Sequence, residues 1–211
     1  MAHHLASQRL PYLRETPSQT AGPYVHIGLA PGAAGLDLPV PDPGQDIAGP
    51  DAAGERIRVE GMIIDGTDSP VRDALIEIWQ ANAAGVYAHP EHPGRVEPGF
   101  RGWGRAITDF ETGEFGFDTI KPGAVRNHDG RLLAPHLNLW IVARGINVGL
   151  NTRMYFSDEA DANAADPVLG LIEWENRRRT LIAPRAQRGG KTIYRFDIRL
   201  QGDNETVFFD I

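Results

Sequence analysis

The chain has no cysteine among its 211 residues. That excludes disulfides, thiolate metal sites and cysteine nucleophiles. It has no surplus of positive charge either: 21 Lys and Arg face 28 Asp and Glu, for a formal net charge of −7. No dense basic run occurs, so neither nucleic acid nor an anionic membrane surface is expected as a partner. No apolar run reaches the length of a bilayer span, and the first 19 residues hold no stretch resembling a signal peptide. The expected location is the cytoplasm. Helical periodicity is scarce too, which turns attention to strands.

Turn formers are abundant, with 24 Gly and 16 Pro spread between short apolar runs. Residues 1–30 read as a polar N-terminal arm that includes Thr16-Pro17-Ser18-Gln19-Thr20-Ala21-Gly22-Pro23-Tyr24. Residues 31–211 read as one domain, beginning with a Gly/Pro/Ala-rich loop. Strands are expected at 56–64, 74–79, 114–117, 136–143 and 152–156. A further strand shows the cleanest alternation, with Tyr194, Phe196, Ile198 and Leu200 on one face and Arg195, Asp197 and Arg199 on the other. Two short helices are expected, one after a capping Ser157 and one within 171–182. Many short strands between turns indicate an all-β fold, an antiparallel β-sandwich or barrel. A sandwich with long loops and an N-terminal arm is the expected form.

Several segments, taken in order, resemble the intradiol ring-cleaving dioxygenases. They are Ile76-Glu77-Ile78-Trp79-Gln80-Ala81-Asn82-Ala83-Ala84-Gly85-Val86-Tyr87, Lys121-Pro122-Gly123, Pro135-His136-Leu137-Asn138, Tyr155-Phe156 with Asp158, and Tyr194-Arg195-Phe196-Asp197-Ile198. The arm around Thr20 and the stretch Ala143-Arg144-Gly145-Ile146-Asn147 resemble the non-catalytic α chains of the two-chain members of that family. Catalytic members hold ferric iron with two tyrosinates and two histidines, donors suited to that ion. Here Tyr87 and His136 stand at two ligand positions, Val125 and Asn138 at the other two, and Leu133 at the position of an arginine. Valine has no donor atom, and a neutral amide is a poor ferric ligand.

The resemblance therefore implies a chain without catalytic or metal-binding residues of its own. Fe(III) is expected in a homologous β chain, paired with this one in an αβ hetero-oligomer. Protocatechuate and dioxygen are the implied substrates, with the N-terminal arm contacting the partner. Thr20, Gly22, Pro23, Tyr24 and Arg144 are the expected substrate-binding residues, since in the resembled chains they line the partner's iron pocket. Glycine permits close backbone approach, proline fixes the wall, and a guanidinium suits a substrate carboxylate.

Plainer readings stand beside these. Tyr87 is equally a wet-edged aromatic, and His136 a hydrogen-bonded core histidine. The four tryptophans read as core or interface packing. Arg177-Arg178-Arg179 reads as a solvated helix face. Two other functions remain open at this point: a self-sufficient homomeric dioxygenase, and a non-enzymatic β-sandwich binding module.

Overall fold

A computed structural model describes residues 19–22, 24–39, 41–91 and 94–210. Among them a short helix, α1 (Val25–Leu29), precedes the long loop, and strand β1 (Arg56–Ile64) opens the sandwich. There follow β2 (Leu75–Gln80), β3 (Trp103–Ile107), β4 (Glu114–Ile120), the small ribbon β5 (Val125–Arg126) and β6 (Leu132–Leu133), β7 (His136–Val142) and β8 (Leu150–Phe156). Helices α2 (Ala160–Ala165) and α3 (Glu175–Arg179) then lead to β9 (Ile182–Ala183), β10 (Arg185–Arg188), β11 (Lys191–Arg195) and β12 (Ile198–Arg199).

Two sheets face each other. In the first, β1 lies between antiparallel β4 and parallel β11, with β10 beyond β11. In the second, the order is β3-β2-β7-β8-β9. The β-sandwich read from the sequence is present, and its sheets are mixed, because β1 runs parallel to β11 and β12 and β8 runs parallel to β9. Alternation explains the core. Ile57, Val59 and Ile63 of β1 and Phe115 and Phe117 of β4 meet Ile76 and Ile78 of β2 and Leu137, Leu139 and Ile141 of β7. Each such side chain, taken fully out of water, contributes on the order of 1.5–3 kcal/mol. Gln80 crosses the gap at the sandwich's end, its amide donating to the Ile120 carbonyl at 2.9 Å and accepting from Thr119 Oγ1 at 2.7 Å.

The alternating C-terminal run forms two strands rather than one. At the break, Asp197 turns its carboxylate onto the Met62 amide, 3.0 Å away, in place of a backbone carbonyl. Phe196 still donates its amide to Glu60 O at 2.8 Å. Gly61 makes this approach possible, since a Cβ there would stand 1.9 Å from the Phe196 carbonyl oxygen.

Two local expectations need correction. Ser157 caps no helix: α2 starts later, at Ala160, and Ser157 Oγ accepts the Arg185 amide at 2.9 Å, which ties β10 to the end of β8. The Arg177-Arg178-Arg179 run is not a uniformly solvated face. Arg177 bonds the Glu205 carbonyl and Arg178 the Ile172 carbonyl, each at 2.5 Å, leaving Arg179 outside with Glu175. None of the four tryptophans is fully buried; Trp140 and Trp174 are exposed.

Candidate functional site

Tyr87 is aimed by the turn before it. The Asn82 side-chain oxygen accepts the amides of Ala84 at 3.0 Å and Val86 at 2.9 Å, which folds 82–86 into a tight knot. Gly85 completes the turn with φ +77, and a Cβ there would meet the Ala124 carbonyl at 2.0 Å. Only glycine combines that dihedral with that approach. The emerging Tyr87 ring lies parallel to Trp79, with 3° between the planes and 5.9 Å between centroids.

Behind the ring runs a directed hydrogen-bond chain. His136 Nδ1 lies 2.7 Å from the Ala134 carbonyl, which can only accept, so the proton belongs on Nδ1. Nε2 is then an acceptor, and Tyr87 Oη donates to it at 3.2 Å. Asn138 Nδ2 donates to Tyr87 Oη at 3.3 Å, and Arg153 Nε donates to Asn138 Oδ1 at 2.9 Å. Burial, reinforced by the Arg153 charge, lowers the His136 pKa to about 4. Burial raises that of Tyr87, against the opposing pull of the Asn138 hydrogen bond and the Arg153 charge. A neutral imidazole and a neutral phenol are the outcome. Asp166 braces the assembly from below: its buried carboxylate accepts the Ala134 amide at 2.8 Å and the Tyr155 hydroxyl at 3.2 Å.

These residues do not make an iron site. Val125 and Leu133 are register partners across the β5–β6 ribbon and pack with Ala81 and Tyr87 in one apolar cluster. Hydrocarbon fills the places of a second tyrosinate and of the arginine. Tyr87 and His136 are hydrogen-bonded to each other, and Asn138 to both Tyr87 and Arg153. Among the described residues no group of three or more His, Asp or Glu is gathered in a metal-binding arrangement.

The arm and Arg144 come together elsewhere. Thr20 Oγ1 accepts the Gly145 amide at 2.7 Å, so the arm is tied to the turn that carries Arg144. Arg144 forms an ion pair with Asp73, whose position just before β2 lies beside the end of β7. Both line an open groove of about 990 Å³ together with His26, Phe110, Gly145 and Ile146. Tyr24 is exposed at the start of α1, and the Gly22 carbonyl accepts the Val25 amide at 3.2 Å. A Cβ on Gly22 would meet nothing within 4 Å among the described residues. Pro23 lies outside the described residues.

Three of the resembling segments converge on a different knot. Lys121 Nζ lies 2.9 Å from Asp158 and 2.6 Å from Glu159, and the Tyr194 hydroxyl donates to Asp158 at 2.9 Å. Burial disfavours the Lys121 ammonium, yet the hydrogen bonds to Glu159 and Asp158 outweigh it and raise the pKa. These groups tie the end of β4 to the end of β8 and to β11. Sequence reasoning passed over Asp73, Asn82, Arg153 and Asp166. Of these, Arg153 was legible in principle, since it shares the outward phase of β8 with Tyr155.

A family model described as a dioxygenase matches residues 42–202. The chain belongs to the intradiol ring-cleavage dioxygenase family. It is 53% identical over 198 residues to the protocatechuate 3,4-dioxygenase alpha chain of Pseudomonas putida, covering 94% of this chain and 97% of that one. It is 43% identical to the alpha chain of the same name from Burkholderia cepacia, over 94% of this chain and 98% of that one. The Burkholderia cepacia beta chain is 37% identical over 72% of this chain and 67% of its own length. Among solved structures, hydroxyquinol 1,2-dioxygenase from Pseudomonas putida DLL-E4 superposes with a TM-score of 0.59 at 18% identity, over 88% of this chain and 67% of that one, a likeness of fold.

Proposed function

We propose that this chain is the non-catalytic α subunit of a protocatechuate 3,4-dioxygenase. The assembled enzyme cleaves protocatechuate with dioxygen to 3-carboxy-cis,cis-muconate. A homologous β chain supplies the ferric iron and the chemistry, and this chain supplies part of the pocket wall. One observation carries the reading: Tyr87 and His136 are hydrogen-bonded to each other while Val125 and Asn138 occupy the remaining ligand positions. A self-sufficient dioxygenase cannot be built on that set. The separately named alpha and beta relatives support a hetero-oligomer. Among the described residues no helix is long and apolar enough to cross a membrane, and the cytoplasm is the location that suits this activity.

In this reading Thr20, Gly22, Pro23 and Tyr24 form a wall at the partner's iron pocket, and the Arg144 guanidinium offers its charge to the substrate carboxylate. The Thr20–Gly145 hydrogen bond supports it by holding wall and charge in one piece. The test is co-expression with a homologous chain bearing both tyrosines and both histidines, followed by native mass measurement and metal analysis of each separated chain. A mixed complex with iron only in the partner is the expected result. Activity from an assembly of this chain alone would overturn the proposal.

A further inference from the structure

A second groove, of about 790 Å³, is lined by Tyr87 together with Trp79, Val86, Ala124 and Leu132, and by the charged or polar side chains of Arg126, His89, His128 and Glu91. Its chemistry is specific. The Trp79 and Tyr87 rings are stacked, 3° between planes and 5.9 Å between centroids, and together form a rigid aromatic wall. Asn138 and His136 engage the Tyr87 hydroxyl from behind, so the phenol is held as a fixed wall. Leu132 is 54% exposed at the rim, an apolar side chain facing water beside an open cavity. Arg126 donates to the Gly130 carbonyl at 2.6 Å and has no carboxylate partner among the described residues. Its neighbour Arg131, by contrast, is paired with Asp129.

We propose that this groove is a metal-independent binding site for a planar aromatic carboxylate. The ring packs along the Trp79–Tyr87 wall with Leu132 over its edge, and the carboxylate meets the free face of the Arg126 guanidinium. Fixed aromatic walls lose little freedom on binding, which favours a small rigid ligand. The charge-assisted contact to Arg126 supplies orientation. Nothing in the arrangement calls for iron, and the proposal stands whether or not the chain is an α subunit.

The test is equilibrium dialysis of radiolabelled benzoate against the purified protein in its native assembly, counted per copy of this chain. The wild type should show one saturable site per copy that Arg126→Gln weakens about tenfold or more. Arg131→Gln should leave it unchanged. Benzamide, which keeps the ring and lacks the charge, should bind the wild type about tenfold more weakly than benzoate and respond little to Arg126→Gln. A partner's iron pocket could also take benzoate, but that binding would not respond to Arg126. Saturable binding identical in wild type and Arg126→Gln would overturn the proposal, and so would no saturable binding at millimolar benzoate.

Discussion

Asp73 holds Arg144 from a half-buried position, with its side chain 15% exposed against 60% for the arginine. The carboxylate is therefore the anchor, and the guanidinium reaches from it into the groove. Arg144→Ala should raise KM for protocatechuate more than it lowers kcat, by about 1.5–3 kcal/mol in kcat/KM, roughly ten- to hundredfold. Plain catechol, which has no carboxylate, should be affected less. Asp73→Asn keeps the shape and the guanidinium but frees the latter to wander, so its KM increase should be smaller. Steady-state kinetics on both substrates decide this. Equal losses on the two would assign Arg144 a structural role.

Gly22 has open space where a Cβ would go and no positive φ that demands glycine. Nothing among the described residues requires glycine there. Gly22→Ala should leave the thermal midpoint of the isolated fold within about 0.5 kcal/mol of wild type, while raising KM in the assembled enzyme. An unchanged KM would remove Gly22 from the pocket wall.

His136 sets a limb of the acid stability curve. Its folded pKa, about 4, lies below the unfolded value of roughly 6.5. Between those values the unfolded chain binds more protons, so stability rises with pH there. The contribution is complete above about pH 6.5 and is lost as pH falls toward 4, amounting to about 3 kcal/mol in order of magnitude. Urea midpoints at pH 7 and pH 4.5 should show that loss. A non-titrating His136→Gln variant should lack this limb.

Ferric ion titrated into this chain alone should bind without a defined stoichiometry. No visible tyrosinate-to-iron charge-transfer band should develop, because Tyr87 is neutral and engaged with His136. One tightly bound iron per chain with such a band would contradict the site described above.

Gly61→Ala should destabilise the fold by more than about 2 kcal/mol in urea unfolding. The added Cβ meets backbone, the Phe196 carbonyl at 1.9 Å, and backbone cannot rotate away as a side-chain tip can. Gly22→Ala is the internal control, the same change made in open space.

The strands were legible in the sequence for two reasons: β1 and β4 alternate because one face is buried, while β2, β7 and β8 stand out as short apolar runs with buried residues on both faces. Strand β3 was not, since Trp103-Gly104-Arg105-Ala106-Ile107 mixes a glycine and a charge into an edge position beside β2. The break at Phe196-Asp197 was hidden because alternation continues through it, while the carboxylate switch that makes it depends on Met62, far away in sequence. The ligand-position residues could be named from motif order. Their hydrogen-bond chain could not, because it runs through Arg153, which belongs to none of the motif segments although its strand, β8, ends in one.

The pairing of β1 with β11 and β12 joins residues 57–64 to residues 192–199. On a chain being synthesised, β1 emerges early and can take β4 on one side, but its other edge has no partner until the last stretch is made. An unpaired edge with buried-type side chains is a template for intermolecular pairing. Long sequence separation of this kind also slows closure. Premature termination before Lys191 would therefore do more than trim the end. It would leave the central strand of the first sheet permanently open, so truncated products should accumulate as aggregates instead of shortened folded domains.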